Sequence, residues 1–251
     1  MLLPSPLFGA QSAMKVEMSD QTNEAISDFR RSVSNLQFGT VLADPPWQFT
    51  NRTGKVAPEH RRLNRYGTMH LEEIKALPVC EALAPTAHLY LWVPNALLPE
   101  GLEVMKAWGF TYKSNIIWHK LRKDGGSDGR GVGFYFRNVT EILLFGIRGK
   151  NARTLHLGRT QVNYLGTRKR EHSRKPDEQY PLIEGCSPGP RLEMFARGPR
   201  PGWTVWGNQS ESYEPTWATY SHNSATDRSI REGGRTRRDV DNRQARLLVT
   251  D

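Results

Sequence analysis

Thr40-Val41-Leu42-Ala43-Asp44-Pro45-Pro46-Trp47 is the stretch around which the chain is organised. Four residues suited to a pleated interior read as a short buried strand that ends at Asp44. Two prolines then remove two backbone donors and hold the chain extended, which leaves carbonyl oxygens free to accept. Asp44 adds a carboxylate acceptor, and Trp47 adds a flat apolar surface. Acceptors fixed beside a stacking ring suit a planar molecule that carries an NH2 group.

Outward from this stretch, short apolar runs alternate with helical patterns between Phe38 and Asn208. Strands are expected at 87–93, 112–119, 140–147, 191–195 and 204–206. A short helix is expected over 71–77, capped by Thr68 and stopped by Pro78. Leu98, Leu102, Met105 and Trp108 recur at helical spacing, with Gly109 as the C-terminal cap. A further helix follows Pro176, over 177–184. Such alternation predicts an α/β fold, an open and mainly parallel sheet with helices on both faces. Ligands of such sheets sit beyond the carboxyl ends of the strands.

Composition narrows the class. Residues 37–210 hold 25 Lys/Arg against 15 Asp/Glu, so the net charge of +9 is concentrated there. Three stretches, 51–65, 120–137 and 148–175, carry 19 of those 25 cations. Basic loops of this kind point to a polyanionic partner. Cys80 and Cys186 stand far apart with no CxxC pair, which excludes a disulfide framework or a cysteine-based zinc site; no metal is expected. No run of apolar residues is long enough to span a membrane. The expected organisation is a flexible segment 1–25, one domain 26–210, and a polar, disordered tail 211–251.

The exocyclic amine of adenine is a planar NH2 whose lone pair is delocalised into the ring. Acceptors at Asp44 and the Pro45 carbonyl would draw that lone pair back onto nitrogen and stabilise the charge that builds there. Trp47 would stack on the base, as extruded bases require. DPPW at a strand end resembles the motif of adenine-specific amino-methyltransferases, in the form shared by the MT-A70 family. The likeness extends to His172-Ser173-Arg174-Lys175-Pro176-Asp177-Glu178, to Leu192-Glu193-Met194-Phe195-Ala196-Arg197, and to Trp203 with Gly207-Asn208-Gln209. It covers roughly residues 28–209, in the family's order.

The resemblance implies a Rossmann-like class I methyltransferase fold, S-adenosylmethionine as cofactor, and methylation of the 6-amino nitrogen of adenine. Asp44, Pro45, Pro46 and Trp47 would be catalytic. The implied cofactor contacts are Asp28 and Phe29 for its adenine, Asp44 for its amino group and Arg148 for its carboxylate. Lys175 joins this set, and Arg197, Asn208 and Gln209 would hold the ribose hydroxyls. Asn51, Arg52, Lys55, Arg61, Arg62, Arg65, Tyr66, Lys120 and Arg122 are the expected nucleic-acid contacts. The sequence departs from the family where Pro199 and Arg200 replace a His-Asn pair, which weakens the expected ribose contacts there. DNA is expected as substrate, because no zinc-finger cysteines or RNA-binding module accompany the domain. An RNA adenosine methyltransferase is the competing enzyme. A non-catalytic nucleic-acid-binding subunit is the alternative outside enzymes, and the intact Asp44 and Trp47 speak against it. A monomer or homodimer, bacterial or phage-encoded and cytoplasmic, completes the expectation.

Overall fold

A computed structural model describes residues 19–48, 68–122, 124–128, 135–168 and 174–208, apart from the side chain of Leu157. In chain order the elements are α1 (Asp20–Ser32), β1 (Phe38–Ala43), α2 (Leu71–Ala76), β2 (Leu83–Val93), α3 (Leu98–Ala107) and β3 (Thr111–Leu121). Then follow β4 (Thr140–Arg148), β5 (Tyr164–Arg168), α4 (Gln179–Cys186), β6 (Arg191–Met194) and β7 (Thr204–Trp206). The seven strands form one sheet in the order β5-β3-β4-β2-β1-β6-β7. Every neighbouring pair is parallel except those made by β4, which runs against both β2 and β3. The mainly parallel, Rossmann-like sheet is therefore present, with one reversed strand.

Period-two alternation decides which side each strand residue faces. Val41, Ala43, Leu89, Leu91, Val93, Leu192 and Met194 pack on one face with Phe29 of α1, Ile74 of α2, and Val104 and Met105 of α3. Leu42, Tyr90, Trp92, Ile116, Trp118 and Leu143 point to the other face, under Tyr180 and Ile183 of α4 and Trp203. Helices thus cover both faces, but among the described residues the second face has one eight-residue helix against three on the first. Its C-terminal end is tied down by a buried hydroxyl, because Ser187 Oγ lies 2.7 Å from His88 Nδ1 and 2.8 Å from the Tyr90 hydroxyl. The carboxyl ends of β1 and β6 remain open on that face, and the site lies there.

Three elements differ from the sequence expectation. α1 starts at Asp20, inside the segment expected to be flexible. Ser19 caps it by accepting from the Thr22 amide at 3.2 Å, and the Thr22 hydroxyl donates to Glu73 Oε1 at 2.6 Å. β5 lies within the basic stretch 148–175 that had read as loop, and it adds to the sheet edge beside β3. The short helix α2 is capped at His70 and not Thr68; the His70 amide donates to Glu73 Oε2 at 2.8 Å. The expected tail 211–251 lies outside the described residues.

Candidate active site

β1 delivers Asp44 to the sheet end beside β6, where the Asp44 amide lies 3.5 Å from the Met194 carbonyl. A cleft opens over this point, lined by Leu42, Trp92, Tyr180, Glu193, Phe195 and Arg197, among others. Phe195 sits at φ 61°, a left-handed conformation that a bulky residue adopts only under constraint. The constraint is the next chain crossing. A Cβ on Gly207 would stand 2.8 Å from both the Ala196 nitrogen and the Phe195 Cα, so only glycine lets β7's end pass so close. The result is a sharp turn at the carboxyl end of β6 that presents Phe195 and Arg197 to the cleft.

The cleft's charges form a chain. Lys175 Nζ lies 3.0 Å from Asp44 Oδ1 and 3.3 Å from Glu141 Oε2. Lys120 closes on the other oxygen of Glu141. Beneath them, Lys175 lies 5.5 Å from the centre of the Trp92 ring, and Trp92 meets Trp118 edge-on at 5.9 Å. Both indoles are pinned, Trp92 donating to Gln179 Oε1 at 2.7 Å and Trp118 to the Thr167 hydroxyl at 2.9 Å.

These surroundings set the protonation of each group. Burial pushes the Asp44 carboxyl up, and Lys175 offsets only part of that rise. Glu141 is also penalised by burial, but Lys175 and Lys120 overrule it and hold the carboxyl at about 2. Burial lowers Lys175, yet Asp44 and Glu141 win and keep it an ammonium. Glu193 is raised by burial to about 7, although it accepts from the Tyr180 hydroxyl at 2.8 Å. One end of the cleft is therefore a locked ion chain, and the other holds a carboxyl that titrates near neutrality.

A family model described as MT-A70 matches residues 38–209, which takes in the strands, the DPPW stretch and the cleft. The chain belongs to the MT-A70 family. Among its relatives is a protein from Oryza sativa subsp. japonica named as a probable N(6)-adenosine-methyltransferase MT-A70-like. The two are 33% identical over 206 residues, 80% of this chain and 27% of that protein. The human N(6)-adenosine-methyltransferase catalytic subunit METTL3 is 32% identical over 177 residues, 69% of this chain and 28% of METTL3. The type II methyltransferase M.MunI of Mycoplasma sp is 26% identical over 190 residues, 68% of this chain and 77% of M.MunI. The matched region thus spans little more than a quarter of the two adenosine methyltransferases. MT-A70 methyltransferases use S-adenosylmethionine as methyl donor.

Within this MT-A70 domain the structure brings Asp44, Lys175 and Arg197 to one cleft, and it relocates other expected residues. Arg148 ends β4 opposite Ala87, whereas Ile142 near the start of that strand pairs with Val93. Because β4 is reversed, Arg148 lies at the far end of the sheet, six residues or about 20 Å from the cleft. There it donates to the Cys80 carbonyl at 3.1 Å. Cofactor contact by Arg148 is thereby corrected. Phe29 is 0% exposed and edge-on to Trp206, so it is core and not a cofactor contact. Asp28 accepts from the Trp206 indole at 2.9 Å, on the helix that covers the opposite face.

Trp47 is 6% exposed and donates to the Trp92 carbonyl at 2.9 Å, so it braces the motif and is not an open stacking ring. The Pro45 and Pro46 carbonyls were expected to be free, but each already accepts a backbone amide, from Trp47 at 2.8 Å and Met69 at 2.9 Å. Lys120 is held in the ion chain and not offered to phosphate, and Arg122 is paired with Asp124 at 2.8 Å. Asn208 is exposed just beyond β7. Gln209, Asn51, Arg52, Lys55, Arg61, Arg62, Arg65 and Tyr66 lie outside the described residues.

Glu141, Trp92, Glu193 and Arg200 stand around the cleft with no role implied by the motifs. Each carried a weak signal. Glu141 is a carboxylate in an otherwise apolar strand, Trp92 falls one residue before a strand's end, and Glu193 interrupts β6. Arg200 lies 3.2 Å over the Tyr180 ring, in the position noted as a departure from the family.

Proposed function

We propose that this chain binds S-adenosylmethionine in the cleft and methylates the 6-amino nitrogen of adenine in a nucleic acid. The observation that carries this reading is Asp44, a carboxylate at the carboxyl end of β1, oriented by Lys175 within an ion chain and bordered by aromatic rings. The cleft's donors fit the cofactor, whose methionine end carries both an ammonium and a carboxylate. Asp44 and Glu193 suit the first, Lys175 and Arg197 the second, and Phe195 offers an apolar surface to its adenine. When bound, S-adenosylmethionine supplies a methyl group activated by a sulfonium.

The protein's part is to make a weak nucleophile reactive. Asp44 accepts an N–H of the target amine, which returns lone-pair density to nitrogen and stabilises the positive charge that develops there. Its burial-raised basicity makes it a better acceptor for the proton that the methylated nitrogen must lose. Lys175 holds one carboxylate oxygen, so the other keeps one direction. Trp47 contributes by fixing the prolines that follow Asp44.

The relatives named for adenosine, a ribonucleoside, are more similar in sequence than M.MunI, which favours RNA as the polymer over the DNA that the sequence suggested. DNA is the second reading, supported by the match to 77% of M.MunI. The test uses one adenine-containing sequence as RNA and as DNA, incubated with methyl-labelled cofactor, then digested to nucleosides for mass spectrometry. N6-methylated adenosine in the RNA arm is the expected product. Label only in the DNA arm would reverse the choice of polymer, and label on another base or atom would reject the reading.

A further inference from the structure

We propose that Lys120 is a positioning residue for methyl transfer, holding Glu141 so that Lys175 stays seated on Asp44. This rests on the reading of the cleft as an adenine N6-methyltransferase site.

The register of the sheet creates the arrangement. Trp118 on β3 pairs with Glu141 on β4, so Lys120, two residues on, is Glu141's diagonal neighbour on the same face. The Lys120 ammonium lies 5.0 Å from the centre of the Trp118 ring and contacts Glu141 Oε1. Lys175 takes Oε2 of the same carboxylate and lies over Trp92. Two ammoniums therefore flank one carboxylate above a pair of edge-packed indoles. The order of charges is Lys120, Glu141, Lys175, Asp44, alternating in sign.

Lys120 does not line the cleft, and its charge is linked to Asp44 through Glu141 and Lys175, while Trp118 and Trp92 connect it by packing alone. Without Lys120, Glu141 has one cation for two oxygens in a partly buried site. It then competes with Asp44 for Lys175, since attraction is stronger where water is scarce. Among the described residues, the cations acting on Glu141 are Lys120 from β3 and Lys175 from the segment before α4, and Asp44 is an anion coupled to it. Asp44 at the end of β1 lies next in the chain, with Arg197 and Glu193 on its far side. Lys120 is the cation in this set that serves Glu141 alone.

The test compares Lys120→Met and Lys120→Arg with the unaltered chain by three measurements: cofactor affinity, single-turnover methyl transfer against pH, and the titration of Glu141 by carboxyl-carbon NMR. Lys120→Met is expected to lose about tenfold or more in rate at saturating cofactor, beyond any change in cofactor affinity. Its acid limb and Glu141 titration should both move to higher pH, and Lys120→Arg should restore both. An unmoved Glu141 titration in Lys120→Met would overturn the proposal, as would an unchanged rate. If Lys120→Met fails to fold, Lys120→Arg decides: near-normal rate and titration support the proposal, and a lost rate with normal titration overturns it. Absence of methyl transfer by the unaltered chain would sink the proposed function, while the NMR titration would still report whether Lys120 holds Glu141.

Discussion

Glu141→Gln tests the ion chain as a stabilising element as well as a catalytic one. The change keeps the shape of the side chain and removes its charge, leaving Lys120 and Lys175 with Asp44 as the remaining anion of the chain. Glu141 titrates at about 2 in the fold against an ordinary value of 4.5. A carboxyl depressed on folding stabilises the protein at pH above its unfolded value, and that contribution is lost as pH falls through the folded value. The gap between the two values is equivalent to about 3 kcal/mol at pH 7. Partial exposure of the side chain, 27%, reduces this to about 2–3 kcal/mol. Urea unfolding of both proteins should show the midpoint of Glu141→Gln lower by about 1 M at pH 7. The gap should narrow by about 1 kcal/mol between pH 5.5 and 3.5, as the unaltered protein loses its advantage. Equal midpoints at pH 7, or a gap that stays constant on acidification, would refute the charge assignment.

Two other substitutions separate the structural account from the motif resemblance. Arg148→Ala should leave S-adenosylmethionine affinity within about twofold by calorimetry, because Arg148 lies at the far end of the sheet; a loss above tenfold would mean the cofactor reaches that end. Trp47→Ala should cost about 3–5 kcal/mol in unfolding free energy, since it empties a buried site and strands the Trp92 carbonyl. A stability change below about 1 kcal/mol, with activity lost, would restore Trp47 as a stacking surface.

Local signals carried the core of the fold. The residues Thr40 to Trp47 announce a strand and its end through composition and prolines alone, and the short apolar runs of Ala87 to Val93 and Thr140 to Ile147 mark neighbouring strands. α1 was missed because Ile26, Phe29 and Val33 are its few apolar contacts in a polar sequence, and its burial comes from Trp206, far away in the chain. β5 was missed because Tyr164 to Arg168 is an edge strand set among cations and broken by Gly166. Arg148 was misplaced for a different reason. Hydrophobic pattern marks a strand without its direction, and the reversal of β4 exchanges which end meets the cleft. That same reversal brings Glu141 to the end of the sheet where Asp44 lies, between partners 21 and 34 residues away in sequence, Lys120 and Lys175, of which Lys175 reaches Asp44. No local pattern encodes such a meeting. Trp47 shows the limit of reading a motif by residue type, since an indole serves equally as platform or as brace, and only packing decides.

In the proposed mechanism Asp44 activates an adenine amine for methyl transfer. Asp44→Asn keeps the size of the side chain while removing its charge and its capacity to take a proton. Single-turnover transfer of labelled methyl to an adenine-containing oligonucleotide, with N6-methyladenine counted as nucleoside, measures that step directly. The expected result is product from the unaltered chain and a rate lower by about a thousandfold or more in Asp44→Asn, with the protein still folded. Product formed by Asp44→Asn at a rate within about tenfold of the unaltered chain would contradict the account.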